Sequence, residues 1–307
     1  MAELTIIIPT YNHADRLRHT LEHLALQEGI DETEVIVVND GSIDGTAKYV
    51  DHLTYKWLTV VHQENKGRSQ ARNNGLKRAK SNYVLFLDSD ILLCPGYLKE
   101  LLAAQNKNPG IYFGDLFNIH FDKTERCVSL LRKQKTKDGA KEQLKKLEKV
   151  DLLVNMARYF KMWHPEQKVG WPCLTAANFS APLSILKKAG PFDENFTGWG
   201  VEDHEYAFRL NETGAEIYYL DTIYGCHLDK AKEKINIPLL VENLLYFHKK
   251  SKYNSEVRAY LEFVSGHDSL QALFRRSMNM PLTDCSEEIY FRPYKHIRAK
   301  QVTANGR

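Results

Sequence analysis

The first 121 residues alternate between short apolar runs and amphipathic segments, and this alternation restricts the fold more than any other feature of the chain. Apolar runs such as LTIII are typical of strands buried on both faces of a sheet, whereas Leu17, Leu21 and Leu24 recur at helical spacing. Strands that alternate regularly with helices predict an α/β fold with a mostly parallel sheet covered by helices. The strand-like segments are 4–12, 34–40, 58–63, 83–90 and 111–121, and the helix-like segments are 15–26, 44–53, 69–80 and 95–105.

Beyond about residue 120 this alternation stops. We expect a helix near 142–160, then an irregular stretch rich in Trp, Pro and Gly, a helix near 202–213, a short strand at 215–220 and mainly helices after about residue 237. The expected divisions are an α/β half at 1–121, a second half of the same domain at 122–230 and a helical C-terminal extension at 231–307.

Charge and composition exclude several classes of protein. The net charge is only +3, which argues against a nucleic-acid-binding surface built on a broad basic field. No stretch approaches the roughly 18 apolar residues of a membrane span, and no basic region precedes the first apolar run. The five cysteines are scattered and never paired as CxxC, so neither a disulfide framework nor a zinc site is indicated. We therefore expect a cytoplasmic protein with reduced thiols.

One segment departs from this charge balance. Residues 132–149 contain eight basic and three acidic residues. A solvated loop and helix face accounts for them, and so does a mobile lid or a peripheral contact with an anionic acceptor or a membrane surface.

Two carboxylates interrupt the apolar run at 83–93, YVLFLDSDILL. An unpaired charge inside a buried strand is costly, so we expect Asp88 and Asp90 at the end of the strand. In open parallel sheets, ligands bind beyond the carboxyl ends of the strands. Asp40 also ends a strand-like run, and carboxylates at such an edge suit a hard divalent cation that also binds phosphate oxygens. Neither GxGxxG after the first strand nor GxxxxGK[ST] occurs, which argues against dinucleotide-dependent oxidoreductases and P-loop NTPases.

Five motifs in this order give the chain a family resemblance. They are PTYN (9–12), VNDGSIDGT (38–46), KGRSQARNNG (66–75), FLDSD (86–90) and GPFDENFTGWGVEDHEYAFRL (190–210). Together they resemble the family 2 glycosyltransferases, which have the GT-A fold. The last motif is similar to the acceptor-side GWGxED motif of galactosyl- and N-acetylgalactosaminyl-transferases and of bacterial polysaccharide-polymerising members. The resemblance covers residues 4 to about 228.

The resemblance implies a donor site for a UDP-sugar at the strand ends. The ring of Tyr11 would lie against the nucleobase, although a core tyrosine in a turn has the same pattern. Asp40 would accept a hydrogen bond from the uracil imide N–H, or cap a helix beside a turn. Arg72 would contact the diphosphate or hold Asp88. The implied donor-binding residues are Pro9, Thr10, Tyr11, Asp40, Arg72, Asp88 and Ser89.

The resemblance also implies a metal site and a catalytic base. Asp90 and His227 would bind Mn²⁺ or Mg²⁺ at the diphosphate. Asp203 would take the proton from the acceptor, although acidic residues also suit the first turn of a helix. The implied acceptor-binding residues are Trp199, Gly200 and Glu202.

The resemblance therefore implies a metal-dependent, inverting glycosyltransferase that moves a hexose or N-acetylhexosamine from a UDP-sugar to an acceptor. A glycan, a cell-wall polymer, a peptide and a natural product all fit as acceptor. The alternatives are a sugar nucleotidyltransferase, which would need a Gly- and Lys-rich loop where PTYNHADR stands, and a non-catalytic sugar-nucleotide or glycan-binding protein. A haloacid-dehalogenase-type phosphatase is disfavoured because its DxD follows the first strand, and this one follows the fourth.

Overall fold

A computed structural model of the chain describes residues 2–133, 137–149, 151, 155–163, 168–198, 200–229, 236–278 and 289–291. Within these ranges the molecule is built on one mixed, eight-stranded sheet whose strand order is β3-β2-β1-β4-β7-β6-β8-β5. The strands are β1 (Leu4–Thr10), β2 (Thr33–Asp40), β3 (Leu58–Gln63), β4 (Tyr83–Leu87), β5 (Ile91–Leu93), β6 (Ile111–His120), β7 (Asn178–Pro182) and β8 (Ile217–Asp229).

Helices cover both faces of this sheet and continue beyond it toward the C-terminus. The helices of the described ranges are α1 (Ala14–Leu24), α2 (Thr46–Asp51), α3 (Arg68–Leu76), α4 (Tyr97–Lys107), α5 (Thr124–Lys133), α6 (Lys137–Lys145), α7 (Met156–Trp163), α8 (Leu183–Ala189), α9 (Glu202–Glu212), α10 (Ile237–Lys250), α11 (Ser255–Val264) and α12 (Leu270–Met278). The predicted α/β architecture with a helical C-terminal extension is confirmed.

The sheet is parallel in the first half of the chain and mixed in the second. Strands β1, β2, β3 and β4 pair in parallel, as do β6 and β8. Strand β7 pairs antiparallel with both β4 and β6, and β5 pairs antiparallel with β8. The carboxyl ends of β1, β2 and β4 therefore meet at one edge of the sheet.

Among the described residues, two large apolar cores lie on opposite faces of the sheet, and a small third cluster consists of Ile36, Val38 and Ala71. Because successive strand residues point to opposite faces, Ile6 and Ile8 of β1 join one core with α1, and Ile7 joins the other. The second core also includes fully buried side chains of the C-terminal helices, such as Phe247 and Phe263. The C-terminal helices are thus packed into the body of the molecule.

Several elements differ from the sequence prediction, among them β5, α5 and α8, which no predicted strand or helix covers. Strand β7 is not predicted because NFSAP is short and contains Asn, Ser and Pro, which have low strand propensity. The helix expected near 142–160 is wrong as one element: α6 ends at Lys145 and α7 begins at Met156, and Glu148 forms a bridge with Ile119 of the sheet. The strand expected at 215–220 extends to Asp229 as β8.

The extension of β8 depends on a close approach at Gly114. The pairing of β6 with β8 shifts register between Gly114 and Asp115, so β8 remains paired along nearly all of β6. A Cβ atom at Gly114 would lie 2.8 Å from the carbonyl oxygen of Ile223. A side chain at this position would therefore force the two strands apart and weaken the pairing that places His227.

The basic segment 132–149 lies partly outside the described residues. Its described part includes α6, which turns Ala140 and Leu144 into the core. Lys141 Nζ lies 3.6 Å from Asp115 Oδ2, so one of its cations is paired with the sheet. None of the described helices combines the length and the apolar character that crossing a membrane requires.

Candidate active site

The first strand ends at the sheet edge with groups that a ligand can reach. Pro9 and Thr10 are the last two residues of β1 and are buried, whereas Tyr11 directly after them is 43% exposed. The hydroxyl oxygen of Thr10 is buried and has no hydrogen-bond partner among the described residues. Since buried polar groups are normally satisfied, this unpaired hydroxyl is an exception at the sheet edge.

Asp40 ends β2 and organises the loop that follows β3. It is only 4% exposed. Its Oδ1 accepts hydrogen bonds from Gln63 Nε2 at 2.7 Å and from Lys66 N at 2.9 Å, and its Oδ2 accepts one from Gly67 N at 2.9 Å. A carboxylate has about four acceptor positions. One position on Oδ2 therefore remains for a further donor.

Arg72 joins the two halves of the site. This arginine of α3 is 3% exposed. Its Nη2 donates to Asp88 Oδ1 at 2.9 Å, and its Nη1 donates to Glu202 Oε1 at 3.4 Å. Burial alone would lower the pKa of the guanidinium, but the carboxylates of Asp88, Glu202 and Asp203 outweigh it and raise the pKa. The arginine therefore remains charged and ties the turn after β4 to the start of α9.

Asp90 lies in the same turn, among three cationic or titratable side chains. Its Oδ2 accepts a hydrogen bond from Arg16 Nη1 at 3.0 Å and lies 4.0 Å from His13 Nδ1, and its Oδ1 lies 3.5 Å from His227 Nε2. Burial alone would raise the pKa of this carboxyl, but His227, His13 and Arg16 hold it well below its usual range. Asp90 is therefore ionised, as a metal ligand must be.

Second contacts orient the groups around Asp90. Asn118 Oδ1 lies 2.8 Å from His227 Nδ1, which leaves Nε2 of that ring turned toward Asp90. Ser89 Oγ lies 2.9 Å from His13 Nδ1, and its backbone carbonyl accepts a hydrogen bond from Thr20 at 3.0 Å. The turn that carries both aspartates is therefore anchored to α1.

Asp90 and His227 fit a metal site with two protein ligands. In the described part of the chain, no cluster of three or more His, Cys, Asp or Glu side chains has the arrangement of a metal centre. Mg²⁺ is commonly held by one or two carboxylates together with substrate phosphates and water. A carboxylate oxygen and an imidazole nitrogen 3.5 Å apart suit such a partial site.

Asp203 lies at the first turn of α9, where the helix dipole favours a negative charge. Its Oδ1 accepts hydrogen bonds from the backbone N of His204 at 2.9 Å and is 3.0 Å from Nδ1 of the same residue. Burial alone would raise the pKa of this carboxyl, but His204 and Arg72 outweigh it and keep the pKa well below its usual range. Glu202, by contrast, is 4% exposed and is held by Arg72.

The loop before α9 has an unusual backbone. Val201 has φ +64°, which is rare for a β-branched residue and costs about 1–3 kcal/mol. Gly200 has φ +108°, and a Cβ atom there would lie 2.9 Å from Leu240 Cδ1. Asn243 of α10 donates to the Gly200 carbonyl at 3.3 Å. The helical extension therefore holds this loop, while Trp199 lies outside the described residues.

Several residues of the site carry no signal in the sequence. His13 and Arg16 follow PTYN on or next to α1, where they read as surface residues of a helix, yet both face Asp90. Arg68 Nη1 lies 3.6 Å from Glu202 Oε1 and adds a second cation there. The order of the motifs does not reveal these contacts because each joins residues far apart in the chain.

Residues 5–164, about half of the chain, match the family model described as Glycosyl transferase family 2. Validoxylamine A glucosyltransferase from Streptomyces hygroscopicus subsp. jinggangensis is 32% identical over 237 residues, which are 69% of this chain and 52% of that protein. Chondroitin synthase from Escherichia coli is 28% identical over 284 residues, 81% of this chain and 39% of that protein. The chain thus spans about half the length of these curated relatives, or less.

Solved structures give the same fold. The crystal structure of S. aureus TarS covers 85% of this chain and 43% of its own, with a TM-score of 0.59 and 19% sequence identity. A shorter TarS structure, residues 1–349, has a TM-score of 0.50 at 22% identity and covers 73% of this chain and 60% of its own. The GT-A fold that the sequence predicts is confirmed, with a mixed sheet and helices on both faces.

Proposed function

Because this chain belongs to glycosyl transferase family 2, we propose that it transfers a sugar from a UDP-sugar to an acceptor nucleophile with inversion at the anomeric carbon. One observation carries the proposal: Arg72 binds Asp88 at 2.9 Å with one nitrogen and Glu202 at 3.4 Å with the other. This pairing supports a single active centre, in which the turn after β4 on the donor side lies next to the start of α9 on the acceptor side.

The donor nucleotide binds at the carboxyl ends of β1, β2 and β4. Tyr11 offers its exposed ring to the base, and Asp40 has one free acceptor position for the imide N–H of uracil. The buried hydroxyl of Thr10 is a further hydrogen-bonding group at this edge. Asp88 binds the sugar and Arg72 holds Asp88 in place. The other donor contacts are Pro9 and Ser89.

Asp90 and His227 hold Mn²⁺ or Mg²⁺ in this proposal. When bound between these two side chains, such an ion would supply positive charge to offset the negative charge that develops on the departing diphosphate. The depressed pKa of the Asp90 carboxyl and the orientation of His227 by Asn118 support this assignment. Arg16, on the other oxygen of Asp90, contributes a fixed positive charge at the same place.

Asp203 acts as the general base. Its Oδ1 is engaged by His204, so Oδ2 is the atom that takes the proton from the acceptor. As that proton leaves, the acceptor oxygen forms a bond to the anomeric carbon, and the bond from this carbon to the diphosphate breaks with its electron pair remaining on UDP. Glu202 and Gly200 bind the acceptor, and so does Trp199.

The division of the chain follows from these roles. We assign donor binding to 1–121, acceptor binding and catalysis to 122–230, and a helical extension to 231–307 that supports the acceptor side. The contact of Asn243 with the Gly200 carbonyl supports the last assignment. Similar proteins include a glucosyltransferase, a chondroitin synthase and a hyaluronan synthase, which supports a hexose or N-acetylhexosamine as the transferred sugar.

A panel of nucleotide-sugars tests the activity directly. With Mn²⁺ present and no acceptor, we expect slow hydrolysis of one UDP-hexose or UDP-N-acetylhexosamine and no hydrolysis of ADP- or GDP-sugars. The measurement is UDP release. Pyrophosphate formation from UTP and a sugar 1-phosphate would instead indicate a nucleotidyltransferase, and donor binding without hydrolysis or transfer would indicate a binding protein. Either result would contradict the proposal.

The preference of the protein for UDP over ADP tests whether Asp40 binds the uracil base. Uracil has an imide N–H to donate to the free position of this buried carboxylate, whereas adenine leaves it unpaired. We expect UDP to bind more tightly than ADP by about 1–3 kcal/mol, the cost of an unsatisfied buried group. Calorimetry of the unmodified chain in Mn²⁺ measures this, and it avoids an Asp40 variant, which would also disturb the loop at 63–67. Equal affinities would remove Asp40 from the base-reading role.

A further inference from the structure

The two oxygens of the Asp203 carboxylate have different surroundings. Oδ1 accepts the hydrogen bond from the backbone N of His204 at 2.9 Å and lies 3.0 Å from its Nδ1. The side chain of Asp203 is 23% exposed, whereas that of His204 is only 6% exposed. The carboxylate thus has one oxygen fixed by a buried ring and one oxygen that can face a substrate.

The surroundings of the two ring nitrogens show which of them donates to Asp203. Nε2 of His204 is buried and has no hydrogen-bond partner among the described residues. A ring nitrogen donates to a carboxylate only when it carries a proton. Since Nε2 has no acceptor to receive a proton and Nδ1 faces a carboxylate, the proton belongs on Nδ1. His204 therefore donates to Asp203 Oδ1.

A tyrosine of the C-terminal extension fixes the plane of this ring. Tyr260 of α11 stacks on His204 with ring centroids 4.7 Å apart and planes inclined by 27°. Tyr260 is 1% exposed and also packs against Trp171 at 5.3 Å. Trp171 in turn donates from Nε1 to Glu256 of α11 at 3.0 Å. The ring of His204, a residue of α9, is thus held in place by its stacking contact with the C-terminal extension.

We propose that His204 is the positioning residue of the catalytic base: with its ring stacked on Tyr260, it holds Asp203 Oδ1 so that Oδ2 faces the acceptor. This inference rests on the proposed function. It explains why a polar ring with an unsatisfied Nε2 occupies a buried position, where an apolar side chain would be less costly. It also gives the C-terminal extension a part in catalysis.

The charged and titratable groups around Asp203 determine how a substitution of His204 would change the pKa of the Asp203 carboxyl. Arg72 lowers the pKa of the Asp203 carboxyl, Glu202 is its neighbour in α9, and the hydroxyl of Tyr260 has its pKa raised by burial and by both carboxylates. A hydrogen bond donated to the ionised form lowers the pKa of a carboxyl. Loss of the His204 donor therefore raises the pKa of Asp203, and the base is protonated sooner as the pH falls.

Two substitutions separate hydrogen bonding from packing. His204→Phe keeps a ring against Tyr260 and removes the donor, whereas His204→Asn keeps an N–H donor near the Nδ1 position and removes the ring. We expect His204→Phe to lower kcat about tenfold at neutral pH, with the KM for the donor unchanged. As the pH is lowered, kcat of His204→Phe should begin to fall at a higher pH than kcat of the unmodified enzyme does. His204→Asn should largely retain both the kcat at neutral pH and the pH dependence of the unmodified enzyme.

A second readout does not depend on turnover. The pKa of the Asp203 carboxyl, followed by ¹³C NMR, should rise in His204→Phe and return toward the original value in His204→Asn. Unchanged kcat, pH profile and Asp203 pKa in a folded His204→Phe would overturn the inference, and so would a larger loss in His204→Asn than in His204→Phe. Failure of the proposed function would look different, because the unmodified chain would then transfer no sugar.

Discussion

Replacement of Asp203 by Asn should reduce the rate of sugar transfer by about 10² or more, because general-base contributions are typically 10²–10⁴-fold. The amide keeps the size of the carboxylate and one acceptor oxygen for the His204 hydrogen bonds, but it cannot take the proton of the acceptor. Donor affinity should hardly change, since Arg72 is still held by Asp88 and Glu202. The measurement is kcat at saturating donor and metal, together with calorimetry of UDP binding.

Glu212→Gln is the matched control for this experiment. Glu212 is an exposed carboxylate at the opposite end of α9, so its replacement removes the same charge from the same helix. Normal turnover in Glu212→Gln and a large loss in Asp203→Asn would assign the effect to the position of Asp203. Undiminished turnover in Asp203→Asn would move the base elsewhere, with Glu202 as the next candidate.

Replacement of Asp90 should abolish the metal dependence of UDP binding. This carboxylate is the only anionic ligand in the proposed pair, and without it His227 alone cannot hold Mn²⁺ at the diphosphate. Asp90→Ala also leaves Arg16 without the carboxylate that it binds at 3.0 Å, which costs stability because a partly buried charge loses its partner. Asp90→Asn is therefore the second variant, since its amide oxygen still accepts from Arg16.

Calorimetry of UDP binding with and without Mn²⁺ is the measurement for both variants, and Asp31→Ala, at an exposed carboxylate before β2, is the control. We expect the control to keep the increase in affinity that Mn²⁺ causes and both Asp90 variants to lose it. Undiminished Mn²⁺-dependent affinity in a folded Asp90→Asn would exclude Asp90 as a metal ligand.

Local patterns account for most of the first half of the fold. The predicted segments at 34–40, 58–63 and 111–121 correspond to β2, β3 and β6 within a residue or so at each end, because the spacing of apolar residues reports which side chains are buried. Patterns fail for β7, whose five residues are all buried between two other strands. Its pairing with β4 and β6 depends on neighbours about 70–100 positions away, so no local pattern reveals it.

The features of the candidate site likewise fall into two groups: those that local sequence patterns locate and those that only the tertiary structure brings together. The sequence by itself determined that Asp88 and Asp90 follow a buried strand and that Asp203 begins a helix, because ionised side chains cannot remain inside an apolar run and acids favour the first turn of a helix. The family resemblance already implied that Arg72 holds Asp88 and that Asp90 and His227 lie together, and the structure has both contacts. Only the tertiary structure decided that Arg72 also reaches Glu202, that Arg16 faces Asp90, and that Tyr260 stacks on His204. These contacts depend on the positions of separate helices and strands on a common sheet, and the packing of the two cores sets those positions.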